Sequence, residues 1–158
     1  MTRGEIVSTI TNAARVTGVP VEIALALAYH ESKLDPNAEG DAGTSFGLFQ
    51  IKLQTAEIVG FRGSKEELKT PAVNALFALR HLAGLIKGYG IAGGLSAYNG
   101  PGRPIQSNQE YVGNILLTAV QVREILSKRR LKELIPLLFP VVVGALGFFL
   151  GDDEGGPA

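Results

Sequence analysis

Cysteine and tryptophan are both missing from this 158-residue chain, and methionine occurs once. Without cysteine the protein has no disulfide, no zinc–thiolate centre and no thiol nucleophile. A surplus of positive charge is missing as well, because 15 Lys and Arg balance 15 Asp and Glu. A nucleic-acid partner is therefore not expected, since proteins that bind phosphate backbones usually carry a basic surplus.

A secretory leader and strand-like patterns are also lacking. Residues 1–16 have no continuous apolar stretch with a small-residue cleavage site, so we predict no N-terminal signal peptide and an amphipathic helix instead. Apolar residues recur at helical rather than alternating spacing almost throughout the chain. The hydrophobic share of 46% is enough for a packed core. We predict an all-α domain over 1–130 with at most a minor hairpin.

Capping signals mark the predicted helices. A Ser or Thr followed three residues later by Glu indicates a helix start, and Gly indicates a helix end. The predicted helices run from Thr2 to Gly18, from Pro20 to Glu31, over 47–59, from Ser64, from Thr70 to Lys87 with a stop at Gly88 and Gly90, over 92–98, and from Ser107 to Lys128. The segment 34–46 is predicted to be a structured loop.

The last part of the chain changes in composition. Residues 134–150 carry no charge, a basic cluster at 128–132 precedes them, and three acidic residues follow. An uncharged helix of this length is slightly short for a bilayer but within the observed range. We predict a second region, 131–158, in which 134–150 is a transmembrane anchor; the alternative is a hairpin that packs against the domain or a sister subunit.

Glu31 is the first candidate for chemistry. It follows the apolar helical run Ile23–Tyr29, so its carboxyl group is expected to emerge beside hydrophobic walls. Burial disfavours the charged form and raises the pKa of a carboxyl group, which then can donate a proton to a glycosidic oxygen. The alternative is a solvated glutamate in the last turn of a helix.

An ordered series of short motifs surrounds Glu31. It comprises Glu31-Ser32, Asp35-Pro36-Asn37-Ala38, the run 43–51, Thr55-Ala56, Ala97-Tyr98-Asn99-Gly100 and Tyr111-Val112. This series resembles the soluble lytic transglycosylase family over residues 20–116. Catalytic domains of that family have a lysozyme-like helical fold, similar in layout to goose-type lysozymes.

The resemblance implies a role for each matched residue. Glu31 would be the catalytic acid/base and Ser32 would help to hold the helix end. The remaining predicted substrate-binding residues are Ser45, Gly47, Leu48, Phe49, Gln50, Tyr98, Asn99 and Tyr111. Gly47 would let backbone and sugar approach closely, and Gln50 has both a donor and an acceptor for an acetamido sugar.

The implied reaction cleaves the bond between N-acetylmuramic acid and N-acetylglucosamine in peptidoglycan, with a 1,6-anhydro product and no cofactor. Asp41, a possible second acid in the loop, leaves a goose-type hydrolase open, because a hydrolase needs a base to activate water. A third alternative is a non-catalytic glycan-binding or structural protein. No metal is expected: His30-Glu31 begins like a zincin motif, but Leu34 stands where the second histidine belongs, and His81 has no such partner.

The expected partners are glycan strands of peptidoglycan and a membrane. The predicted location is membrane-associated and facing peptidoglycan. The basic cluster before 134–150 would keep the domain cytoplasmic by the positive-inside tendency, on the wrong side from its substrate. A bacteriophage virion, in which the enzyme is carried to the wall, would resolve this conflict; a host enzyme and a homo-oligomeric assembly are further alternatives.

Overall fold

The computed structural model describes residues 1–100 and 108–150, with side chains described up to residue 129. Residues Met1–Val122 form one compact unit, and Arg123–Ala158 form a second. The elements are α1 (Arg3–Thr17), α2 (Val21–Ser32), β1 (Glu39–Gly40), β2 (Ser45–Phe46), a 3₁₀ turn (Gly47–Phe49), β3 (Ile51–Lys52), α3 (Leu53–Ile58), α4 (Lys65–Leu68), α5 (Pro71–Asn99) and α6 (Gln109–Leu150). The described chain is mostly helical, as predicted.

The first two helices follow their capping signals. The Thr2 hydroxyl accepts a hydrogen bond from the backbone of Glu5, whose carboxylate in turn accepts one from the backbone of Thr2, so the predicted capping box is confirmed. In α2, six successive residues, 23–28, are buried. A helix that is apolar all round lies in the middle of a fold, and α2 packs against α1 on one side and the 3₁₀ turn on another.

The predicted minor hairpin is a three-stranded antiparallel sheet in the order β1-β2-β3. Glu39 is paired with Phe46, and Phe46 with Ile51. The prediction of a continuous helix over 47–59 was therefore wrong. The first part of this range forms the 3₁₀ turn and β3, and only Leu53–Ile58 is α-helical. The physical reason is that Gly47 and Gln50 both have positive φ, 68° and 47°, which no α-helix contains.

The long helix α5 passes through the predicted stop. Gly88 does not end it, and Gly90 (φ 70°, ψ 176°) kinks it, after which a second arm continues to Asn99. A glycine adopts this conformation without the steric cost that a Cβ would bring. The separate helix predicted over 92–98 is thus the second arm of α5. The cap predicted at Ser107 lies outside the described residues.

The packed core of the first unit is completed by α6, which buries Val112, Ile115 and Ala119. Within the part of the chain whose side chains are described, no helix is long and apolar enough to cross a membrane. The predicted anchor, 134–150, lies outside those residues and stays a prediction.

Candidate active site

Glu31 lies in the last turn of α2, where its carboxylate accepts a hydrogen bond from the Tyr111 hydroxyl of α6. The chain turns sharply after this point, because Lys33 and Leu34 both adopt left-handed backbone conformations. Burial raises the pKa of Glu31; the Tyr111 hydrogen bond opposes that rise, and the negative charge of Asp41 adds to it. The site therefore favours a protonated carboxyl group with one fixed hydrogen-bond partner.

Two tyrosines flank this carboxyl group. Burial and the charge of Glu31 raise the pKa of both Tyr98 and Tyr111, so each remains a neutral phenol that can donate a hydrogen bond. The Tyr98 hydroxyl donates to the Phe49 carbonyl over 2.8 Å and so ties the second arm of α5 to the 3₁₀ turn. The His81 ring lies beside the Tyr98 ring, 5.8 Å between centroids.

The 3₁₀ turn is anchored by side chains from three directions. The Ser32 hydroxyl lies 2.9 Å from the Leu48 carbonyl, which joins the turn to the end of α2. Gln50 donates its amide hydrogens to the carbonyls of Ala38 and Gly47, over 3.1 and 3.0 Å. The position of the turn relative to Glu31 is thus set by hydrogen bonds to its backbone.

Asn74 of α5 provides the third anchor, and the sequence analysis missed it. Fully buried, it donates to the carbonyls of Phe46 (2.8 Å) and Leu68 (3.2 Å) and accepts from the backbone N–H of Phe49 (3.1 Å). A Cβ on Gly47 would come within 2.7 Å of the Asn74 amide. One signal was available: Asn74 shares a helical stripe with Ala78 and Leu82, where a polar residue must find buried partners.

The possible second acid, Asp41, lies in the turn between β1 and β2. Its Oδ2 accepts a hydrogen bond from the Ser45 hydroxyl (2.9 Å) and pairs with the Lys52 ammonium group (3.0 Å). The Lys52 contact, followed by the Ser45 hydrogen bond, lowers the pKa of Asp41. Asp41 is therefore ionised under conditions in which Glu31 retains its proton.

Residues 8–116 of the chain match the family profile of the transglycosylase SLT domain. The chain belongs to this family. No curated protein matches the SLT chain. Among solved structures it is similar to the 70 kDa soluble lytic transglycosylase from Escherichia coli, with a TM-score of 0.67, 22% identity and coverage of 75% of this chain and 24% of the other.

Two further structures share the fold of this SLT domain. The inactive mutant of lytic transglycosylase Slt from Pseudomonas aeruginosa has a TM-score of 0.68 at 21% identity, covering 76% of this chain and 24% of that one. The 70 kDa soluble lytic transglycosylase in complex with bulgecin A has a TM-score of 0.56 at 21% identity, with 72% and 20% covered. The chain thus spans about a quarter or less of the length of these proteins.

Several residues of the SLT domain that were predicted to bind substrate make contacts within the domain instead. Leu48 and Phe49 are fully buried, so their side chains belong to the core, and their contacts with Ser32, Asn74 and Tyr98 are made by the backbone. Gly47 makes room for Asn74. The amide nitrogen of Gln50 donates both of its hydrogens within the loop, and its Oε1 takes no part in these two bonds. Leu48, Phe49 and Gly47 therefore serve the packing of the turn.

The remaining predicted residues lie on the α5–α6 side. Asn99 is exposed at the end of α5, and its amide lies 3.4 Å from the Asn108 side chain. His30, which the sequence analysis rejected as a metal ligand, contacts the Thr118 hydroxyl over 3.0 Å. In the part of the chain with described side chains, no cluster of three or more His, Asp or Glu residues could hold a metal ion.

Proposed function

We propose that this chain is a lytic transglycosylase that cleaves the bond between N-acetylmuramic acid and N-acetylglucosamine in peptidoglycan, with Glu31 as its general acid/base. The observation that carries the proposal is the Tyr111–Glu31 contact: a half-buried carboxyl group, held by a neutral tyrosine, at the end of the central helix of an SLT domain. The two similar structures from Escherichia coli and Pseudomonas aeruginosa are lytic transglycosylases, which supports the same substrate class.

The first step uses the proton that burial retains on Glu31. Glu31 gives this proton to the glycosidic oxygen as the bond to C1 of the muramoyl residue breaks, and N-acetylglucosamine leaves with a free hydroxyl group. Positive charge develops at C1, and the substrate's own acetamido oxygen stabilises it. The Tyr111 hydroxyl holds the Glu31 carboxylate in place once the proton has gone.

The second step returns the site to its starting state. The Glu31 carboxylate takes the proton from the muramoyl 6-hydroxyl, whose oxygen closes onto C1 and forms the 1,6-anhydro ring. No water is consumed, so one carboxyl group is sufficient for both proton transfers. Tyr98, exposed Asn99 and the Oε1 of Gln50 are the groups proposed to contact the sugars.

A goose-type hydrolase is the second candidate, because Asp41 is ionised and its charge acts on Glu31. In that reaction Asp41 would activate a water molecule that attacks C1. Two contacts weigh against it: Ser45 and Lys52 both bind Oδ2 of Asp41 and lower its basicity. We therefore favour the transglycosylase.

Mass spectrometry of the released muropeptides tests the proposal. The purified full chain, incubated with peptidoglycan, should release anhydro-muropeptides, each lighter by one water molecule than the reducing product of a hydrolase. Glu31→Gln should lose cleavage and remain folded, because a glutamine oxygen still accepts the Tyr111 hydrogen bond. The matched control is Glu66→Gln, an exposed glutamate on α4, which should cleave normally.

Each of the other outcomes contradicts a defined part of the proposal. Reducing ends would identify a hydrolase, absence of fragments would identify a glycan-binding or structural protein, and an active Glu31→Gln variant would remove Glu31 from the mechanism. Attachment to a membrane through 134–150 and transport in a phage virion remain proposals from composition alone.

A further inference from the structure

The turn that carries Asp41 has an unusual backbone. Asp41 and Ala42 are successive non-glycine residues with positive φ, 49° and 54°. Such conformations are unfavourable for residues that carry a Cβ and persist where surrounding contacts hold them. Here the backbone N–H groups of Gly43 and Thr44 donate to the Gly40 carbonyl, and the Thr44 hydroxyl donates to the Asp41 carbonyl, so the turn is closed and the Asp41 side chain is left for other partners.

Two side chains of the sheet bind the same oxygen atom of Asp41. Ser45 and Lys52 are cross-strand partners of β2 and β3, and their side chains both reach Oδ2 of Asp41, over 2.9 and 3.0 Å. Directly opposite residues on neighbouring strands lie on the same face of a sheet, so one register supplies both groups. A hydroxyl and an ammonium group thus hold a carboxylate that is otherwise largely exposed, at 62% of its side-chain surface.

We propose that Lys52 is a positioning residue for the cleavage reaction, which together with Ser45 holds the Asp41 carboxylate as a fixed negative charge within electrostatic reach of Glu31. This inference rests on the proposed function and adds a residue to it. A carboxylate fixed before the reaction stabilises positive charge that develops near it without having to reorganise. Lys52 thus fixes the position of the Asp41 carboxylate, and its own positive charge weakens the effect of that carboxylate on Glu31.

Several groups from different elements bear on the Glu31 carboxyl group. Tyr111 faces it from α6 and Tyr98 from α5, and both are neutral. On α2 itself, His30 and Lys33 are sequence neighbours. Asp41, in the β1–β2 turn, is the negative charge in this set. Without Lys52, Ser45 still binds the Asp41 carboxylate, but no cation compensates its negative charge. The negative charge that acts on Glu31 is then larger, so Glu31 should retain its proton to a higher pH.

The hairpin offers a matched control for this substitution. Lys69, at the end of α4, pairs with Glu39 of β1 in a second surface ion pair, in which 38% and 44% of the side-chain surfaces are exposed. Lys52→Met and Lys69→Met therefore each remove one surface cation and one ion pair. Only Lys52→Met removes the partner of Asp41.

The experiment measures the pH dependence of peptidoglycan cleavage for the full chain and its variants. The limb on which activity falls with rising pH should move to higher pH in Lys52→Met, remain in place in Lys69→Met and Lys52→Arg, and move to lower pH in Asp41→Asn. In the double variant Lys52→Met/Asp41→Asn, the lysine change should add nothing. A carbon-13 NMR titration of the Glu31 carboxyl group, assigned with Glu31→Gln, should give the same order without substrate.

The two readouts separate this inference from the proposed function. If the wild type releases no muropeptides, the proposed function fails, and the NMR titration still decides whether Lys52 acts on Glu31. If the wild type cleaves but Lys52→Met and Lys69→Met behave alike, Lys52 is a surface lysine and the inference is overturned. A lysine effect that persists after Asp41→Asn overturns it as well.

Discussion

The contact between Gly47 and Asn74 allows a sharp test of how the 3₁₀ turn is held. Asn74 makes two hydrogen bonds to the backbone around the turn and a third to the Leu68 carbonyl of α4, and Gly47 leaves the space that its amide occupies. The perturbation is a pair of single substitutions, Asn74→Ala and Gly47→Ala, together with the double variant. If the two residues form one unit, their effects on stability should not add.

The expected magnitudes follow from the geometry. Asn74→Ala removes three hydrogen bonds of about 1 kcal/mol each, which is ~3 kcal/mol of the free energy of unfolding. Gly47→Ala places a Cβ in a left-handed conformation, at about 1–2 kcal/mol. The same Cβ meets the Asn74 amide at 2.7 Å. Overpacking of that kind costs about 1–3 kcal/mol.

In the double variant the clash disappears, because the atoms that the new Cβ meets belong to the Asn74 side chain. Its loss of stability should therefore be ~4 kcal/mol rather than the ~6 kcal/mol of an additive pair, a coupling of about 2 kcal/mol. Urea denaturation followed by circular dichroism measures all four proteins. Additive losses, or a Gly47→Ala variant as stable as the wild type, would refute this account of the turn.

Three further predictions concern the carboxyl group and the chain terminus. Tyr111→Phe removes a donor that stabilises the charged form of Glu31, so the high-pH limb of the cleavage profile should move to higher pH. Tyr89→Phe is the exposed control and should not move this limb. An unmoved limb in Tyr111→Phe would show that Tyr111 does not act on the protonation of Glu31. Because burial raises the pKa of Glu31 in the folded protein, the folded state binds that proton more tightly than the unfolded state. The free energy of unfolding of the wild type should therefore fall relative to Glu31→Gln as pH rises above the ordinary value of 4.5, and a constant difference in urea titrations between pH 4 and 8 would contradict this. Removal of 134–158 should move the protein from the membrane fraction to the soluble fraction; equal partition of both forms would exclude the anchor.

Helices with local signals were predictable from the sequence. The capping boxes at Thr2 and Ser64 form as expected, because a hydroxyl and a carboxylate three residues apart are sufficient to define a helix start. Glu31 and Tyr111 were both assigned to the site through the family resemblance. Their separation of 80 residues carries no local signal, so composition and periodicity alone would not have paired them.

The loop after Glu31 was less predictable, because tertiary contacts determine it. Apolar residues at 48, 49 and 51 fit a helix by composition, yet Gly47 and Gln50 adopt left-handed conformations that a buried asparagine from a distant helix enforces. In the described chain, every non-glycine residue with positive φ lies between Lys33 and Gln50. Such residues follow from the packing of the whole domain and not from their own preferences.

The strands of the small sheet are two residues long, and this has a consequence for protein engineering. Two-residue strands form too few ladder hydrogen bonds to fold alone. Ser32 of α2, together with Asn74 and the Tyr98 hydroxyl on the two arms of α5, supplies the missing restraint. A graft of residues 33–52 into another scaffold must therefore include these three side chains, because without them we expect the segment to be unstructured.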